Sequence, residues 1–476
     1  MQKSRILSSL VYKFSERLLV KALGLIISIV LARLLTPVEF GQIAIVMVFV
    51  NLSNVLIDSG LNVALVQNKD TSDVDYSTVF YISLIIALSL IASIVFGAPL
   101  IARYYNDATL MTPLRACSIT LLFSVLNSIT TAKLQREMRF KQMMWCNLVA
   151  CVFSGVIGIV MAYSGYGIWA LIAYYLSSAA ITSLMLLIVT RWYQLLAFSW
   201  NRAKVMFSFG WKMLVSGLLC SIYNDTRSLI VGKVYSPADL GYYNRGEQFP
   251  NVVSNTLDNA IQSVMFPVMS SVQDDNLQVK SVLKKTFSVG VLLIAPIMAA
   301  MAVMAEPIVD LLLTSKWLPA VPYMQCICIG CITIPMTSSC LVAIKALGRS
   351  DVYMKLELVR RVMMLLVLFI TVFCFKSVLM VAVGFAISSW LDYLIISFVV
   401  NKLLKYSVNE QLVDMWKQLL ASGLMCLCIY GLSLIGFPNL SLLVIQFVVG
   451  LLSYLIFCRL LKIETLDYMK SVLFKR

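Results

Sequence analysis

Polar side chains recur at steps of three or four residues in two segments predicted to be helical. One segment carries Arg245, Gln248, Asn251, Asn255, Asp258 and Gln262, and the other carries Asn51, Asn54, Asp58 and Asn62. That spacing places each set along one face of an α-helix. Amides on such a face can hydrogen-bond a polar solute, arginine can bind an anion, and a carboxylate can take up a proton or a cation.

Two further apolar segments add charged groups, which are costly at membrane depth and normally face a bundle interior or a water-filled cavity. Two interpretations stay open. The groups can hydrogen-bond one helix to another, at about 1 kcal/mol per contact, or they can line a hydrated central cavity. The long polar stripe from Arg245 to Gln262 favours the cavity. The predicted cavity residues are Lys21, Asn51, Asn224, Arg227, Arg245, Gln248, Asn251 and Asn255.

The elements that must position these residues are membrane-spanning helices. Of 476 residues, 60% are hydrophobic and 13% are charged, whereas soluble domains are about half apolar and about a quarter charged. Mean hydropathy is +0.89. Apolar stretches of about 20 residues, enough to cross the hydrocarbon, recur at 15–34, 41–66, 77–102, 112–132, 143–163, 167–190, 207–233, 241–268, 285–313, 321–346, 353–375, 378–401, 414–436 and 440–460. We predict an all-α polytopic membrane protein with about fourteen transmembrane helices.

The distribution of Lys and Arg predicts the orientation of these helices. The basic residues concentrate in alternate connections, at 3–17, 133–141, 191–204, 280–285, 349–355, 402–417 and 459–476. We therefore place both termini in the cytoplasm and the chain in the bacterial inner membrane, with the first helix retained. The net charge of +15 follows this topology, so no nucleic-acid partner is predicted.

Several chemistries are missing from the sequence. The chain has no histidine, which excludes histidine-based catalytic triads, metal sites and proton relays. Twelve cysteines are typical here of packed helices rather than a disulfide framework. Cys326, Cys328 and Cys331 have no partner cluster, so no metal site is predicted. No GxxxxGK[ST] sequence is present, so ATP hydrolysis by this chain is not expected.

A shift of 200 residues aligns two parts of the chain. It pairs Arg33, Thr36, Pro37, Glu39, Phe40 and Gly41 with Lys233, Ser236, Pro237, Asp239, Leu240 and Gly241, and it pairs Ser28, Asn51 and Asp58 with Ser228, Asn251 and Asp258. Because the period spans an even number of predicted helices, both halves should run in the same direction. We predict six-helix lobes at 1–200 and 201–404, followed at 405–476 by two additional helices and a cytoplasmic tail.

The two motif regions resemble a known family. The matching stretches are 31–41 (LARLLTPVEFG), 58–64 (DSGLNVA), 224–232 (NDTRSLIVG), 236–245 (SPADLGYYNR) and 266–270 (FPVMS). They are similar to the polysaccharide transporters of the multidrug/oligosaccharidyl-lipid/polysaccharide exporter superfamily, in particular to Wzx-type oligosaccharide flippases that resemble colanic-acid exporters. The resemblance implies a flippase that moves undecaprenyl-pyrophosphate-linked repeat units across the inner membrane by alternating access, for O-antigen, capsule or exopolysaccharide synthesis. It also implies that Lys21, Arg227 and Arg245 line a cationic cavity.

On this interpretation the partners are the bilayer, the lipid-linked oligosaccharide and, further, a polysaccharide polymerase with its chain-length machinery. The chain is not expected to be an enzyme or to hold a cofactor. Asp58 or Asp258 is the candidate for coupling transport to H⁺ or Na⁺. Two alternatives remain: a multidrug/cation antiporter of the sister branch, against which Arg227 and Arg245 count, and a membrane-embedded polysaccharide polymerase, against which the short outside loops count.

Overall fold

The computed structural model describes residues 19–58, 61–62, 65, 71–192, 197–435 and 439–466, and every regular element within these ranges is helical. Helix α1 covers residues 19–34. The next helices are α2 (Pro37–Asp58), α3 (Asp73–Tyr105), α4 (Met111–Ser118), α5 (Thr120–Arg136), α6 (Phe140–Tyr163), α7 (Ile168–Thr190), α8 (Trp200–Val234) and α9 (Pro237–Ser271). They are followed by α10 (Asn276–Val303), α11 (Ala305–Leu313), α12 (Val321–Cys331), α13 (Ile334–Ala346), α14 (Ser350–Phe375), α15 (Val378–Leu404), α16 (Val408–Ser433) and α17 (Asn439–Leu460). Short 3-10 helices, Ala108–Leu110 and Ser315–Ala320, precede α4 and α12.

The helices are long and apolar enough to make this a multi-pass membrane protein. Among the described residues, eleven candidate spans are present, or up to twelve if the two parts of α8, bent by 56°, form one span. The predicted count of fourteen is therefore not confirmed. The described residues of the predicted spans lie mostly in helices. Helix α9 carries the polar stripe, and the described part of α1 is shorter than the about 20 residues that a span needs.

The chain groups into two compact units, Met1–Gly241 (unit 1) and Tyr242–Arg476 (unit 2). Helix α8 belongs to unit 1, where it packs against α2 and α3. The predicted lobe boundaries at 200 and 404 describe the sequence repeat, and they stay a prediction.

Two equivalent caps begin α2 and α9, at the motif that the 200-residue shift pairs. The Thr36 N–H donates to Glu39 Oε2 at 2.6 Å, and the Glu39 N–H returns a bond to Thr36 Oγ1 at 3.4 Å. The Ser236 N–H donates to Asp239 Oδ2 at 3.2 Å, and the Asp239 N–H donates to Ser236 Oγ at 3.1 Å. Both are capping boxes, which satisfy backbone donors that the first turn of a helix leaves unpaired. This requirement explains why Thr36 and Ser236 carry a hydroxyl and why Glu39 and Asp239 carry a carboxylate.

The glycines of the same motif allow the two helix starts to touch within unit 1. A Cβ atom on Gly41 would lie 1.6 Å from the carbonyl oxygen of Pro237, and one on Gly241 would lie 2.1 Å from that of Pro37. Only a residue without a Cβ permits backbones to approach so closely. The two motifs therefore pack against each other reciprocally, each glycine on the proline of the other.

Unit 2 has an aromatic and aliphatic core built around Phe287, Tyr393 and Tyr406, each at most 1% exposed. A buried ion pair joins α14 to α15, where the Arg360 guanidinium makes two parallel hydrogen bonds to the Asp392 carboxylate, one of them 2.7 Å long. Such two-bond pairs set both the distance and the rotation of the helices that carry them.

Candidate functional site

A polar cleft opens between α2 and α5 of unit 1. Its cavity volume is about 580 Å³. Apart from one alanine, every lining residue has an amide, hydroxyl or carboxyl group: Asn54, Asp58, Asn62, Ser124, Asn127, Ser128, Thr131, Ala132 and Gln135. No lysine or arginine is among the lining residues that the structure describes. Such a wall offers hydrogen-bond donors and acceptors to a neutral, hydroxyl-rich ligand, together with one negative charge.

Asp58 lies at the centre of a small hydrogen-bond cluster in this cleft. The Asn62 amide donates to Asp58 Oδ1 at 2.8 Å, and the Ser128 hydroxyl donates to the same oxygen at 2.6 Å. Asn62 also donates to Ser128. Among the described residues Asp58 forms no ion pair, and its Oδ2 accepts no hydrogen bond. One carboxylate oxygen is therefore fully engaged by helix partners while the other is left to the cleft.

The same three chemical groups meet in unit 2. The Gln262 amide donates to Asp258 Oδ2 at 2.6 Å, and the Ser338 hydroxyl donates to Oδ1. Here each carboxylate oxygen takes one donor. The two aspartates are a pair that the predicted 200-residue shift aligns, and Asn62 and Gln262 are also 200 residues apart. Ser128 and Ser338 lie 210 residues apart, so the 200-residue shift does not pair them. A shift that lengthens from 200 to 210 residues along the chain would pair them.

The predicted cavity residue Asn51 of α2 contacts α8 in unit 1. Asn51 hydrogen-bonds the Asp225 carboxylate, which also accepts a bond from the Ser221 hydroxyl at 3.0 Å. Lys21 is exposed on α1, and Arg227 is half-buried. The side chain of Asn224 lies outside the described residues.

The polar stripe of α9 packs partly inside unit 2. Arg245 is only 7% exposed; its guanidinium donates to Gln248 and lies 5.8 Å from the ring centroid of Trp317. Asn251 donates to Glu247 Oε1 at 2.9 Å. Asn255 is exposed. The cavity role of Arg245, Gln248, Asn251 and Asn255 stays a prediction, and the periodicity alone did not indicate that Trp317 would cover the arginine.

Two further observations bear on the chemistry. Within the described ranges no group of three or more Cys, Asp or Glu side chains is arranged to hold a metal ion. Asn54 lines the cleft, and its Oδ1 is buried with no hydrogen-bond partner in the part of the chain that the structure describes. An unpaired buried acceptor is rare in folded proteins, and a bound water, ion or ligand is the usual partner of such an atom.

Comparison with known proteins gives consistent matches. Residues 30–322 match the family described as polysaccharide biosynthesis protein. The succinoglycan biosynthesis transport protein ExoT of Rhizobium meliloti is 25% identical over 70% of this chain and 67% of its own length. The lipopolysaccharide biosynthesis protein WzxC of Escherichia coli is 22% identical over 64% of this chain and 63% of its own. The structure of the lipid II flippase MurJ, in an inward closed conformation, superposes with a TM-score of 0.78 and 16% identity, covering 96% of this chain and 99% of that one. This last likeness shows the fold.

Proposed function

This chain belongs to the polysaccharide biosynthesis protein family, and we propose that it is a flippase for lipid-linked oligosaccharide. The substrate is a repeat unit on undecaprenyl pyrophosphate, which moves from the cytoplasmic to the periplasmic leaflet of the bacterial inner membrane during surface polysaccharide synthesis. The protein works by alternating access and carries out no catalysis. Two relatives support this assignment by name, one a transport protein and one a lipopolysaccharide biosynthesis protein.

The observation that carries the proposal is the unpaired Oδ1 of Asn54 in the polar cleft. Leaving a buried acceptor unpaired costs about 1–3 kcal/mol, and a hydroxyl donor from a bound molecule removes that cost. A sugar ring presents several such donors. The cleft wall of amides and hydroxyls matches them, whereas an apolar drug would leave these groups without partners.

Transport also has to overcome the desolvation of the pyrophosphate, since an anion does not cross hydrocarbon unaided. Arginine binds phosphate oxygens with two parallel bonds, and lysine acts as a point charge. Lys21, Arg227 and Arg245 are the proposed contacts. The face of the Trp317 ring holds the Arg245 guanidinium at 5.8 Å, which orients its donors.

For energy coupling we propose Asp58 as the site that takes up H⁺ or Na⁺. Its Oδ2 accepts no hydrogen bond among the described residues, while Oδ1 is held by Asn62 and Ser128. Asp258 has a donor on each oxygen and is therefore the poorer acceptor of an ion. Fixing one oxygen and leaving the other open suits a carboxylate that must gain and lose a cation.

The proposed orientation places both termini in the cytoplasm. Three of the lysine-rich segments predicted to lie inside meet at one end of unit 2. Lys280 pairs with Glu410 at 2.9 Å, and Lys284 pairs with Asp414 at 3.0 Å, while Lys462 lines the same cavity as Lys284. A polysaccharide polymerase and its chain-length machinery are the proposed partners on the product side.

The test is Asn54→Leu, measured in proteoliposomes with a fluorescent undecaprenyl-pyrophosphate oligosaccharide and a membrane-impermeant quencher. Loss of one neutral hydrogen bond predicts translocation reduced roughly two- to tenfold. The matched control is Asn201→Leu, because Asn201 is exposed at the start of α8 and lies outside the cleft. Stability should not fall in Asn54→Leu, since the substitution removes an unpaired polar atom.

Two outcomes would overturn the proposal. Equal translocation by Asn54→Leu and by its control would remove the cleft from the substrate path. Resistance to cationic drugs in cells expressing the protein, without oligosaccharide translocation by the purified protein, would favour the multidrug antiporter instead.

A further inference from the structure

A second cavity lies at one end of unit 2, where α10, α16 and the segment after α17 meet. Its volume is about 490 Å³. Four lysines line it, namely Lys284, Lys285, Lys417 and Lys462, against two carboxylates, Asp414 and Glu464. The cavity is therefore rich in positive charge, and its walls come from three separate parts of the chain.

One carboxylate of this cavity is already satisfied by neighbouring groups. Asp414 pairs with Lys284 at 3.0 Å, and the buried Tyr406 hydroxyl donates to it at 2.7 Å. Among the described residues, Lys417 and Lys462 form no ion pair. Two lysines thus remain to bind an anion, with the exposed Glu464 as the only opposing charge in the lining that the structure describes.

An apolar groove continues from the charged cavity along the same helix faces. On α10 the lining residues pass from Ser288, in the charged cavity, to Leu292 and Pro296 in the groove. These are steps of four residues, so they share one face. On α16 the lining passes in the same way from Gln418 to Met425. The groove has a volume of about 480 Å³.

The wall of the groove is almost entirely aliphatic and aromatic. Its lining residues are Leu292, Leu293, Pro296, Ile297, Ala300, Met301, Met304, Ile308, Met425, Ile429, Gln446, Phe447, Gly450, Leu451, Tyr454, Leu455 and Leu466. The Tyr454 hydroxyl donates to the Leu292 carbonyl at 2.8 Å, so its proton is not available to a ligand in the groove. The walls of the two cavities share one hydrophobic cluster, which contains Ile463 from the charged cavity and Leu292 from the groove.

We propose that this pair of cavities binds an anionic glycerophospholipid of the bilayer. The phosphate lies at Lys417 and Lys462, and an acyl chain lies in the groove between α10, α16 and α17. Gln418 lines the charged cavity, is 3% exposed, and has a buried Oε1 without a hydrogen-bond partner in the described chain. A glycerol headgroup supplies the hydroxyl donor that this oxygen lacks, so phosphatidylglycerol fits all three features.

The lipid is favoured over free phosphate because the apolar groove adjoins the charged end. Burial of hydrocarbon adds about 0.8 kcal/mol for each methylene, which a soluble anion cannot obtain. The inference does not rest on the proposed transport activity, since a lipid can be bound whether or not a substrate is moved.

The experiment measures lipid binding to the purified full-length protein by native mass spectrometry, with phosphatidylglycerol, phosphatidylcholine and glycerol 3-phosphate as probes. Lys417→Gln and Lys462→Gln should each weaken phosphatidylglycerol binding about fivefold, as expected for one lysine near a lipid phosphate. The double variant should weaken it more than either single variant does, and because both lysines contact the same phosphate the two effects need not multiply. Lys280→Gln is the matched control, because Lys280 pairs with Glu410 at 2.9 Å and does not line the cavity. It should leave binding within about twofold of the parent chain.

A second variant tests the apolar end. Ala300→Phe places a large side chain in the groove. It should weaken the binding of phosphatidylglycerol and leave the binding of glycerol 3-phosphate unchanged. Each contrary result overturns the inference. Glycerol 3-phosphate binding as tightly as the lipid would show an anion site alone. Equal binding of phosphatidylcholine, or equal weakening by Lys280→Gln, would show a surface without a specific headgroup site.

Discussion

A Cβ atom added to Gly41 would lie 1.6 Å from the carbonyl oxygen of Pro237 and 2.4 Å from its carbonyl carbon. Cβ contacts below 3.0 Å are essentially never seen, so Gly41→Ala must push the starts of α2 and α9 apart. The obstructing atoms belong to a backbone held by a capping box at Ser236 and Asp239. A side chain could rotate away, but this carbonyl cannot.

The expected cost follows from that geometry. Overpacking in a close-packed interior costs about 1–3 kcal/mol, occasionally more, and a clash with fixed backbone belongs at the upper end. We expect Gly41→Ala to lower the free energy of unfolding by about 3 kcal/mol. Gly97 provides the matched control, because it lies in α3 with no atom within 4 Å of its added Cβ. Gly97→Ala should raise stability by about 0.5–1 kcal/mol, the usual helical preference for alanine.

The assay is reversible unfolding in mixed micelles, followed by helical circular dichroism and by reactivity of buried cysteines. Gly241→Ala should resemble Gly41→Ala, since its Cβ would lie 2.1 Å from the Pro37 carbonyl oxygen. The double variant should cost less than the two single variants together, because the first separation makes room for the second Cβ. Equal stability of Gly41→Ala and Gly97→Ala, or strict additivity in the double variant, would refute the reciprocal contact.

Three further perturbations follow from particular contacts. Asp392→Asn should cost about 3 kcal/mol in the same unfolding assay, the low end for a broken buried pair, because Arg360 keeps its contact with Glu357; no loss would show that the pair is not buried in the folded protein. Two backbone N–H bonds lower the pKa of Asp275, so its stabilisation is complete above the ordinary aspartate value of about 3.9 and is lost as the pH falls through the lower folded value. Asp275→Asn should therefore flatten the fall in melting temperature on acidification, and an unchanged profile would contradict this. Asp58→Asn should abolish the dependence of translocation on H⁺ or Na⁺, while the equivalent substitution in unit 2 should retain most of it; the reverse order would assign the ion to unit 2.

Hydrophobic periodicity was sufficient to predict the helices, because a span must satisfy its own backbone and present an apolar surface. It also predicted which residues share a face. Asn62 falls one turn after Asp58, and Gln262 one turn after Asp258, and both pairs are hydrogen-bonded. Contacts within one helix are thus accessible from sequence.

Contacts between different helices were not predictable from the sequence. Ser128 and Ser338 complete the two carboxylate sites from other helices, and no local pattern marks them. The burial of Arg245 against Trp317 depends on how α9 packs on a 3-10 helix that periodicity does not reveal. The count of fourteen spans is not confirmed, because the eleven or twelve candidates among the described residues leave out α9, which carries the polar stripe, and α1, which is described only from residue 19.

The unequal distances between aspartate and serine bear on how the two halves should be compared. The serine lies 70 residues after Asp58 in one half and 80 residues after Asp258 in the other. An alignment with a constant shift of 200 residues therefore does not pair the two serines, although both donate a hydrogen bond to an aspartate. Under the predicted repeat, an alignment that anchors each half on its serine as well as its aspartate pairs the residues of the two carboxylate sites, and it directs ancestral-sequence reconstruction to the ten extra residues of the second half.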